Sequence, residues 1–261
     1  LNLKNLLKKN KINLTILKNK KKINKNVQSH AREVRYQLLL NFCKKYKIKF
    51  IMTGHHRDDQ IETFLIRLSR GSGIQGLSSM SKISNLSNMT KLFRPLLDEK
   101  KKDLGFLAKY YFGKTFKDPS NINQKYLRTK IRNLIKRFEK SGIKSDRIIN
   151  SINNLASTRD TLNFYIQRVE KACLTKKDRT ISINLKNFLL ENNEIQLKIF
   201  SNCIKKVSKN YYPPRAKKVL NLLSRVRSNE KIKATLGGCV INRHKKNLII
   251  SKEELKKATK L

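Results

Sequence analysis

The chain has 261 residues, of which 61 are lysine or arginine and 18 are aspartate or glutamate, a formal net charge of +43. This length is enough for one large domain or two modest ones with a buried core. The sequence contains no apolar run of about 18 residues, so we expect no membrane span. Its first residues lack the apolar segment and the cleavage site of a secretory signal.

The surplus of positive charge predicts a polyanionic partner, because neutralisation of phosphates releases counterions. The chain is also rich in Lys, Asn and Ile, the residues of A/T-rich codons, so mutational drift can explain part of the surplus. Charge alone does not separate DNA from RNA, and an anionic membrane surface stays an alternative. Nucleic acid is the partner that the composition favours.

Cysteine usage favours a reducing compartment. Cys43, Cys173, Cys203 and Cys239 are far apart in the chain and form no C-x-x-C pair. The four histidines do not supply further ligands at the spacing of a zinc site. The pattern predicts free, buried thiols rather than disulfides or a metal centre.

Short apolar runs alternate with segments of helical periodicity in the first 70 residues or so. Ser29 is a plausible N-cap, and the IKFIMTG run is short and apolar enough for a strand buried on both faces of a parallel sheet. Such alternation predicts an α/β sheet with crossover helices. The predicted elements are a strand at 12–17, a helix at 29–46, a strand at 48–54 and a helix at 58–69.

The remainder of the chain predicts more helix than strand. A Ser-, Gly- and Asn-rich loop at 72–90 comes first, and SGIKSD at 141–146 suggests a boundary between domains 1–142 and 143–261. Pro213 and Pro214 suit the first turn of a helix. We predict helices at 99–112, 123–140, 146–171, 194–208 and 214–227, a turn at 118–121, a strand at 181–185 and a two-stranded hairpin within 233–255.

The residues best suited to chemistry lie in TGHHRDDQIET at 53–63, directly after a predicted strand. Ligands of open α/β sheets bind beyond the carboxyl ends of strands. The neighbouring carboxylates Asp58 and Asp59 repel each other, which favours a cation such as Mg²⁺ between them and a phosphate. His55 and His56 can exchange protons near neutral pH. The alternative is that both aspartates only cap the following helix and interact with its positive end.

A second candidate is SRGSGIQGL at 69–77. Glycines let backbone N–H groups approach an anion, and Arg70 adds charge. The string is neither G-x-G-x-x-G nor a Walker loop, so a flexible turn explains it equally well. Isolated arginines and a short basic group suit phosphate, although a solvated basic face is the default for each. They are Arg32, Arg35, Arg94 and the group Arg128, Lys130 and Arg132.

Together these segments resemble the tRNA(Ile)-lysidine synthetase family of the PP-loop ATP pyrophosphatase group. The resemblance rests on AREVRY at 31–36, TGHHRDDQIET at 53–63, RLSRGSGIQGL at 67–77, RPLL at 94–97 and DPSN…YLRTKIR at 118–132. YPPR at 212–215 and TLGGCVI at 235–241 are similar to the family's C-terminal substrate-recognition region. The resemblance covers nearly the whole chain from about residue 27.

The resemblance implies an α/β fold: a Rossmann-like PP-loop sheet, incomplete at its N-terminus, followed by a mainly helical substrate-recognition domain with a small β-hairpin. It implies ligation of free L-lysine to the wobble cytidine of a CAU-anticodon isoleucine tRNA, with ATP and Mg²⁺, in the bacterial cytoplasm or the matrix of a bacteria-derived organelle, with a homodimer as one possible assembly. The residues that it implies for catalysis are His55, Asp58, Asp59 (also the Mg²⁺ ligand) and Glu62, the last for the lysine ammonium. Those implied for ATP phosphates are Arg32, Arg35, Arg70, Gly71, Ser72, Gly73 and Arg94, and those for tRNA are Arg128, Lys130, Arg132 and Arg215.

One feature departs from the family. Its ATP loop, S-G-G-x-D-S, occurs nowhere in the sequence, which begins with Leu1. We therefore expect an N-terminally truncated chain that is poorly active alone. Two alternatives stay open: a non-catalytic RNA-binding remnant, and another PP-loop enzyme such as a tRNA thiolase or a GMP-synthetase-like amidotransferase.

Overall fold

The computed structural model describes residues 2–19, 27–113, 115–116, 127–177, 180–210, 213–228 and 231–253. The helices in these ranges are α1 Asn2–Lys9, α2 Val27–Lys45, α3 Arg57–Leu68, α4 Ile74–Leu77, α5 Lys101–Phe112, α6 Leu127–Lys140, α7 Ser145–Cys173, α8 Leu185–Phe188, α9 Asn193–Ser208 and α10 Ala216–Arg227. The strands are β1 Phe50–Met52, β2 Ile83–Asn85, β3 Lys91–Phe93, β4 Leu174–Lys177, β5 Thr180–Asn184, β6 Lys233–Leu236, β7 Cys239–His244 and β8 Asn247–Lys252.

The chain forms two compact units, Leu1–Arg159 and Asp160–Leu261. The boundary between these units falls inside α7, a 29-residue helix. The division into domains at residue 142 stays a prediction. Among the described residues, no helix combines the length and the apolar character needed to cross a bilayer.

The first unit contains a three-stranded sheet in the order β1-β3-β2. β1 runs parallel to β3, and β2 runs antiparallel to it. The parallel pair is separated in sequence by α3, which is the crossover arrangement that the alternating pattern predicts. The α/β character of this unit is therefore confirmed.

The prediction that the first of these strands is buried on both faces is wrong. Phe50 is 51% exposed and Met52 is 67% exposed, whereas Leu92 of the central strand β3 is 1% exposed. In the described sheet β1 has a single hydrogen-bonded neighbour, β3, and lies at the edge. An apolar run is therefore not sufficient to place a strand at the centre of a sheet.

Two further predictions near the N-terminus are wrong. Residues 12–17 form no strand, and Ile16 is 62% exposed; a strand needs a partner for its hydrogen bonds, and no described residue supplies one. Ser29 is not an N-cap, because α2 already begins at Val27. The pattern of leucines in α1, Leu3, Leu6 and Leu7, has helical spacing that the sequence interpretation did not use.

Most predicted helices occur close to their expected positions. The predicted loop at 72–90 contains the short helix α4 and the strand β2. Pro213 and Pro214 precede α10 rather than opening it, because Arg215 is the N-cap. The predicted turn at 118–121 lies outside the described residues, as do residues 123–126 of the predicted helix 123–140.

The second unit is built on a five-stranded antiparallel sheet in the order β4-β5-β8-β7-β6. α9 packs on this sheet and α10 packs on α9. The region predicted as a two-stranded hairpin contains three strands: β6 and β7 are joined by Gly237 and Gly238 at φ +63° and +79°, and β8 pairs with β7 where no third strand was expected. Positive φ at both residues of a two-residue turn favours glycine. The strand predicted at 181–185 is present as β5, and β4 is a further strand that was not predicted.

Candidate functional site

The candidate site begins where β1 gives way to α3. His56 is the N-cap residue of α3, and its backbone N–H donates a 3.0 Å hydrogen bond to Oδ2 of Asp59. The same Oδ2 lies 3.5 Å from Nε2 of His56. This is the reciprocal half of a capping box, with a carboxylate at the third helical position. The helix-capping alternative is therefore realised for Asp59 through one of its two oxygens.

His55 is half-buried next to this cap. Its Nδ1 lies 2.8 Å from Oγ1 of Thr53. Burial lowers the pKa of His55 below its ordinary value, the negative charge of Asp59 partly opposes this, and three positive charges lower the pKa further. The imidazole is therefore neutral near pH 7. The three positive charges are Arg94, Arg32 and Arg128.

The structure thus places four of the predicted site residues within electrostatic range of a fifth, His55. We call them the His55 cluster: His55, Asp59, Arg32, Arg94 and Arg128. They come from α2, the end of β1, α3, the end of β3 and α6. Because these elements are far apart in sequence, their convergence is a property of the fold and not of the motif.

Glu62 has a different environment from the one that the resemblance implies. Its carboxylate is 2% exposed and accepts hydrogen bonds of 2.5 and 3.3 Å from Arg132. Nε of Arg128 lies 3.7 Å from its Oε2. The hydrogen bond to Glu62 is the main cause that raises the pKa of Arg132. Glu62 therefore joins α3 to α6 through two arginines, and its contact with a lysine ammonium stays a prediction.

Arg94 and the glycine-rich segment are held by hydrogen bonds to backbone. Arg94 is 7% exposed, and its Nη1 donates to the carbonyl of Ser81 at 2.7 Å and to Oγ of Ser84 at 3.1 Å. Arg67 donates to the carbonyls of Gly76 and Ser79 at 2.7 and 3.0 Å. These arginines stabilise the segment that follows α3.

Sequence reasoning missed Gln60, which completes this arrangement. Its side chain donates to the carbonyl of Met80 at 2.8 Å and accepts from the N–H of Met80 at 2.8 Å. The hydroxyl of Ser79 donates to the carbonyl of Gln60 at 3.0 Å. A glutamine next to the buried position Ile61 could have indicated this role. A buried side-chain amide both donates and accepts hydrogen bonds, so it can pair with the N–H and the carbonyl of a distant backbone segment.

The other predicted residues lie apart from the His55 cluster or on its surface. Gly71 has a φ of +67°, and Gly73 is the N-cap of α4. Ser72, half-buried, lies between them. Among the described residues, no hydrogen bond or ion pair joins this turn to His55 or Asp59. The remaining predicted cations are exposed: Arg35, Arg70, Lys130 and Arg215, the last of which belongs to the second unit.

A cavity of about 790 Å³ lies in the first unit beside α3 and α6. Asp58 and Glu62 line it, whereas His55 and Asp59 do not. The two neighbouring aspartates therefore face different surroundings, with Asp59 beside His56 and Asp58 at the cavity. Three consecutive lysines, Lys100–Lys102, also line the cavity.

In the described part of the chain, no three His, Cys, Asp or Glu side chains form a group that could hold a metal ion. Mg²⁺ commonly takes only one or two carboxylates and completes its shell with phosphate oxygens and water. Oδ1 of Asp59 accepts no hydrogen bond from a described residue and suits such a role. The donor set thus fits Mg²⁺ bound together with a phosphate.

All four cysteines are free and buried, as the sequence predicts. Burial raises the pKa of each thiol, and that of Cys203 to about 12. Thiolates are the reactive form of cysteine, so these side chains act as small apolar groups in the two units.

Comparison with known proteins assigns the class of protein. A family model described as a PP-loop domain matches residues 1–138. The chain belongs to this PP-loop family, which uses ATP.

Relatives with a specific name cover more of the chain. The tRNA(Ile)-lysidine synthase of Wolbachia pipientis wMel is 34% identical over 236 residues, 90% of this chain and 54% of the relative. The protein of the same name from the Wolbachia of Brugia malayi is 35% identical over 233 residues, and that of Orientia tsutsugamushi is 32% identical over 247 residues. Both alignments also cover 54% of the relative and, respectively, 88% and 89% of this chain. The resemblance found from the motifs is confirmed, and the chain spans about half the length of these curated relatives.

Proposed function

We propose that the chain belongs to an enzyme that ligates L-lysine to the wobble cytidine of a CAU-anticodon isoleucine tRNA. The observation that carries the proposal is the His55 cluster, a neutral imidazole and a carboxylate among three arginines at the tip of a parallel strand. The names of relatives that align over nearly nine-tenths of the chain support it. When bound, ATP supplies an adenylyl group that makes the C2 oxygen of the cytidine a leaving group.

The arginines of the His55 cluster stabilise the negative charge of the phosphates. Arg94 is fixed by the carbonyl of Ser81 and the hydroxyl of Ser84, so its guanidinium needs little rearrangement when an anion binds. A preorganised cation in a partly desolvated site interacts more strongly with developing charge than one in water. Arg32 and Arg128 are more exposed and add charge from α2 and α6.

His55 is suited to remove a proton from the incoming amine. A lysine side chain is protonated at neutral pH and attacks only after it loses a proton. Burial keeps His55 neutral, so it is able to accept one. In the tautomer in which Nδ1–H donates to Oγ1 of Thr53, Nε2 carries the lone pair that would accept this proton.

Asp59 caps the helix with one carboxylate oxygen and would hold Mg²⁺ with the other. Its Oδ2 holds the N-cap, and its Oδ1 is the oxygen that we propose as a ligand of Mg²⁺. Asp58, one residue earlier, lines the cavity and would interact with a cationic group there. Glu62 positions Arg128 and Arg132, and the fixed position of these two arginines supports the proposal that they contact the tRNA.

Several finer assignments complete the proposal. We propose that Arg35, Arg70 and the turn Gly71–Gly73 contact triphosphate, and that Lys130 and Arg215 contact tRNA. The bacterial relatives favour the bacterial cytoplasm over an organelle. A homodimer is a further expectation, which sedimentation at two protein concentrations tests.

A second candidate function is RNA binding without catalysis. The formal charge of +43 favours it, because phosphate contacts alone give affinity for any RNA. The arrangement of Asp59 and His55 distinguishes the two candidates, since a binder needs neither a neutral imidazole nor a carboxylate next to phosphates.

The deciding experiment measures lysidine in a transcript of the tRNA after incubation with ATP, Mg²⁺ and lysine, by mass spectrometry of nucleosides. We compare the chain with Asp59→Asn, which keeps a side-chain oxygen to accept from the His56 N–H and removes the charge. The matched control is Asp103→Asn in the first turn of α5. The same pair of substitutions is made at the matching positions of the Wolbachia pipientis wMel relative, because this chain spans about half of it.

We expect Asp59→Asn to lower the rate at least about 100-fold and Asp103→Asn to leave it within about twofold. The chain by itself is expected to turn over slowly. Parental rates in both Asp59→Asn proteins would contradict the assignment of the His55 cluster, and fast turnover by this chain alone would contradict the expected weak activity.

A further inference from the structure

α5 carries aromatic side chains that the proposed chemistry does not use. Phe106 is 68% exposed and Tyr110 is 74% exposed, and their rings lie nearly parallel with centroids 6.4 Å apart. Tyr111 is 69% exposed and meets Tyr110 edge-on at 5.2 Å. No residue of α5 is buried. Two large aromatic rings therefore present their faces to solvent along one side of a helix.

A lysine continues this row of rings. Residues four apart lie on the same side of a helix, so Lys102, Phe106 and Tyr110 form one line, which we call the α5 stripe. Lys102 also lines the 790 Å³ cavity at the start of the helix. The α5 stripe thus leads from the cavity along the surface of the first unit.

The cavity has cations that no protein carboxylate neutralises. Seven lysines and arginines line it against four acidic residues, of which Glu62 pairs with Arg132 and Asp146 pairs with Arg57, whereas Asp58 and Glu139 form no ion pair with a described residue. The side-chain ammonium groups of five lysines that line it make no hydrogen bond or ion pair with a described residue. They are Lys100, Lys101, Lys102, Lys136 and Lys144. Several unpaired ammonium groups around one cavity repel one another, and a polyanion relieves that repulsion.

We propose that the α5 stripe and this cavity together dock an unpaired segment of RNA. Phosphates of the segment enter the lysine-lined cavity, and bases stack on Phe106 and Tyr110. Unpaired nucleotides are the ligand that combines regularly spaced negative charge with flat aromatic surfaces. A duplex hides the faces of its bases, and an acidic peptide has no rings in register with its charges.

This inference rests on the proposed function only in taking the RNA to be the unpaired part of a tRNA. Binding is measured without ATP and lysine, so a failure of lysidine formation and a failure of docking are distinguishable. The probes are a fluorescein-labelled heptanucleotide with the sequence of an anticodon loop and a duplex of equal length, read by anisotropy.

The aromatic contribution is tested with Phe106→Ala/Tyr110→Ala. Both side chains are exposed, so the fold tolerates their removal, which circular dichroism verifies. The control is Phe164→Ala, an aromatic residue 66% exposed in the second unit. We expect the double variant to bind the heptanucleotide at least about tenfold more weakly, with duplex binding changed by less than about twofold and the control unchanged.

The charge contribution is tested with Lys101→Gln/Lys102→Gln/Lys136→Gln. Each phosphate contact with a single strand contributes about 0.7 to the slope of log affinity against log salt, so we expect the slope to fall by about 2. The control has the same charge change in the same unit, Lys4→Gln/Lys8→Gln/Lys9→Gln, and is expected to change the slope by less than half as much.

Three outcomes would overturn the proposal. In the first, Phe106→Ala/Tyr110→Ala weakens binding of the duplex as much as binding of the heptanucleotide. In the second, the two triple lysine variants lower the salt slope by the same amount. The third is a parent chain that self-associates in sedimentation and becomes monomeric in Phe106→Ala/Tyr110→Ala with unchanged RNA affinity, because the stripe would then cover a second copy of the chain.

Discussion

Different kinds of interaction stabilise the interior of each of the two units. The second unit has a continuous apolar core in which Ile199, Phe200 and Ile204 of α9 are fully buried against the antiparallel sheet. In the first unit the cluster of buried apolar residues around α3 consists of Ile61, Leu65 and Ile131. Around it, hydrogen bonds from buried polar side chains fix the segments that carry the His55 cluster.

The difference shows how a site obtains its geometry. Apolar packing is non-directional and gives stability in proportion to area, whereas a hydrogen bond fixes distance and angle. Gln60 and Arg94 fix backbone groups of the segment after α3. The stability of the second unit should therefore depend on the volume of its buried apolar side chains. The stability of the first unit should depend on whether each buried polar group keeps its hydrogen-bond partner.

The largest expected effect lies in the apolar core. Phe200→Ala removes a fully buried ring and leaves a cavity, so we expect a loss of about 3–5 kcal/mol in the free energy of unfolding of the second unit. Urea denaturation followed by far-UV circular dichroism measures it. Leu190→Ala, at a side chain 82% exposed, is the control and should change stability by less than about 0.5 kcal/mol. A small effect of Phe200→Ala would mean that the core does not dominate this unit.

The next effect concerns the buried carboxylate of the first unit. Glu62→Gln leaves Arg132 and Arg128 without their anion, and we expect a loss of about 2–3 kcal/mol, less than for a fully buried pair because Arg132 is 26% exposed. Hydrogen exchange of α3 and α6 measures it locally. Glu139→Gln, an exposed carboxylate on α6, serves as the control. Equal protection in both variants would show that the polar link between the helices is dispensable.

A smaller effect is expected at Gln60. Gln60→Ala removes both hydrogen bonds to Met80 and leaves that backbone to find water, at a cost of about 1–2 kcal/mol. The amides of residues 79–81 should exchange faster than in the parent, while those of the second unit keep their rates. Gln75→Ala, on the exposed side of α4, provides the comparison. If the amides of residues 79–81 exchanged at the parental rate in Gln60→Ala, Gln60 would not be needed to position this segment.

The smallest effect is a dependence on pH. Burial holds the pKa of His55 below its unfolded value of 6.5, so the folded chain binds fewer protons there than the unfolded chain. Stability contributed by this group is therefore present above about pH 6.5 and is lost as the pH falls towards the folded pKa. His55→Gln should flatten the pH dependence of the thermal midpoint, which thermal unfolding at a series of pH values measures. An unchanged slope in His55→Gln would contradict the burial of a neutral imidazole.

The part of the site that the sequence predicted is the part that local pattern determines. His55 and Asp59 were identified from residue type and from their position after a strand, Arg32, Arg94 and Arg128 from residue type and the family resemblance, and the structure places the other four within electrostatic range of His55. Gln60 was not identified, because its partner lies 20 residues away in a segment that reads as a loop. The two carboxylates also look alike in sequence, and only the turn of the helix directs Asp59 back to the backbone N–H of the N-cap residue His56 and Asp58 to the cavity.

For the fold, helices were predicted better than strands. α7 and α9 begin and end within two residues of their expected bounds, because their periodic patterns are long. Residues 12–17 and the strand β1 share a β-prone composition, yet only β1 forms a ladder. Whether an apolar run is paired, and whether it is central or at an edge, depends on residues far away in the chain.

The four buried thiols have a practical consequence for this protein. With their reactivity suppressed by burial, a cysteine introduced at an exposed position would be the group that maleimide dyes modify first at neutral pH. Lys109→Cys, at an exposed position of α5 beside the stripe, would therefore carry a single fluorophore without removal of any natural cysteine, and its emission would report when RNA arrives there.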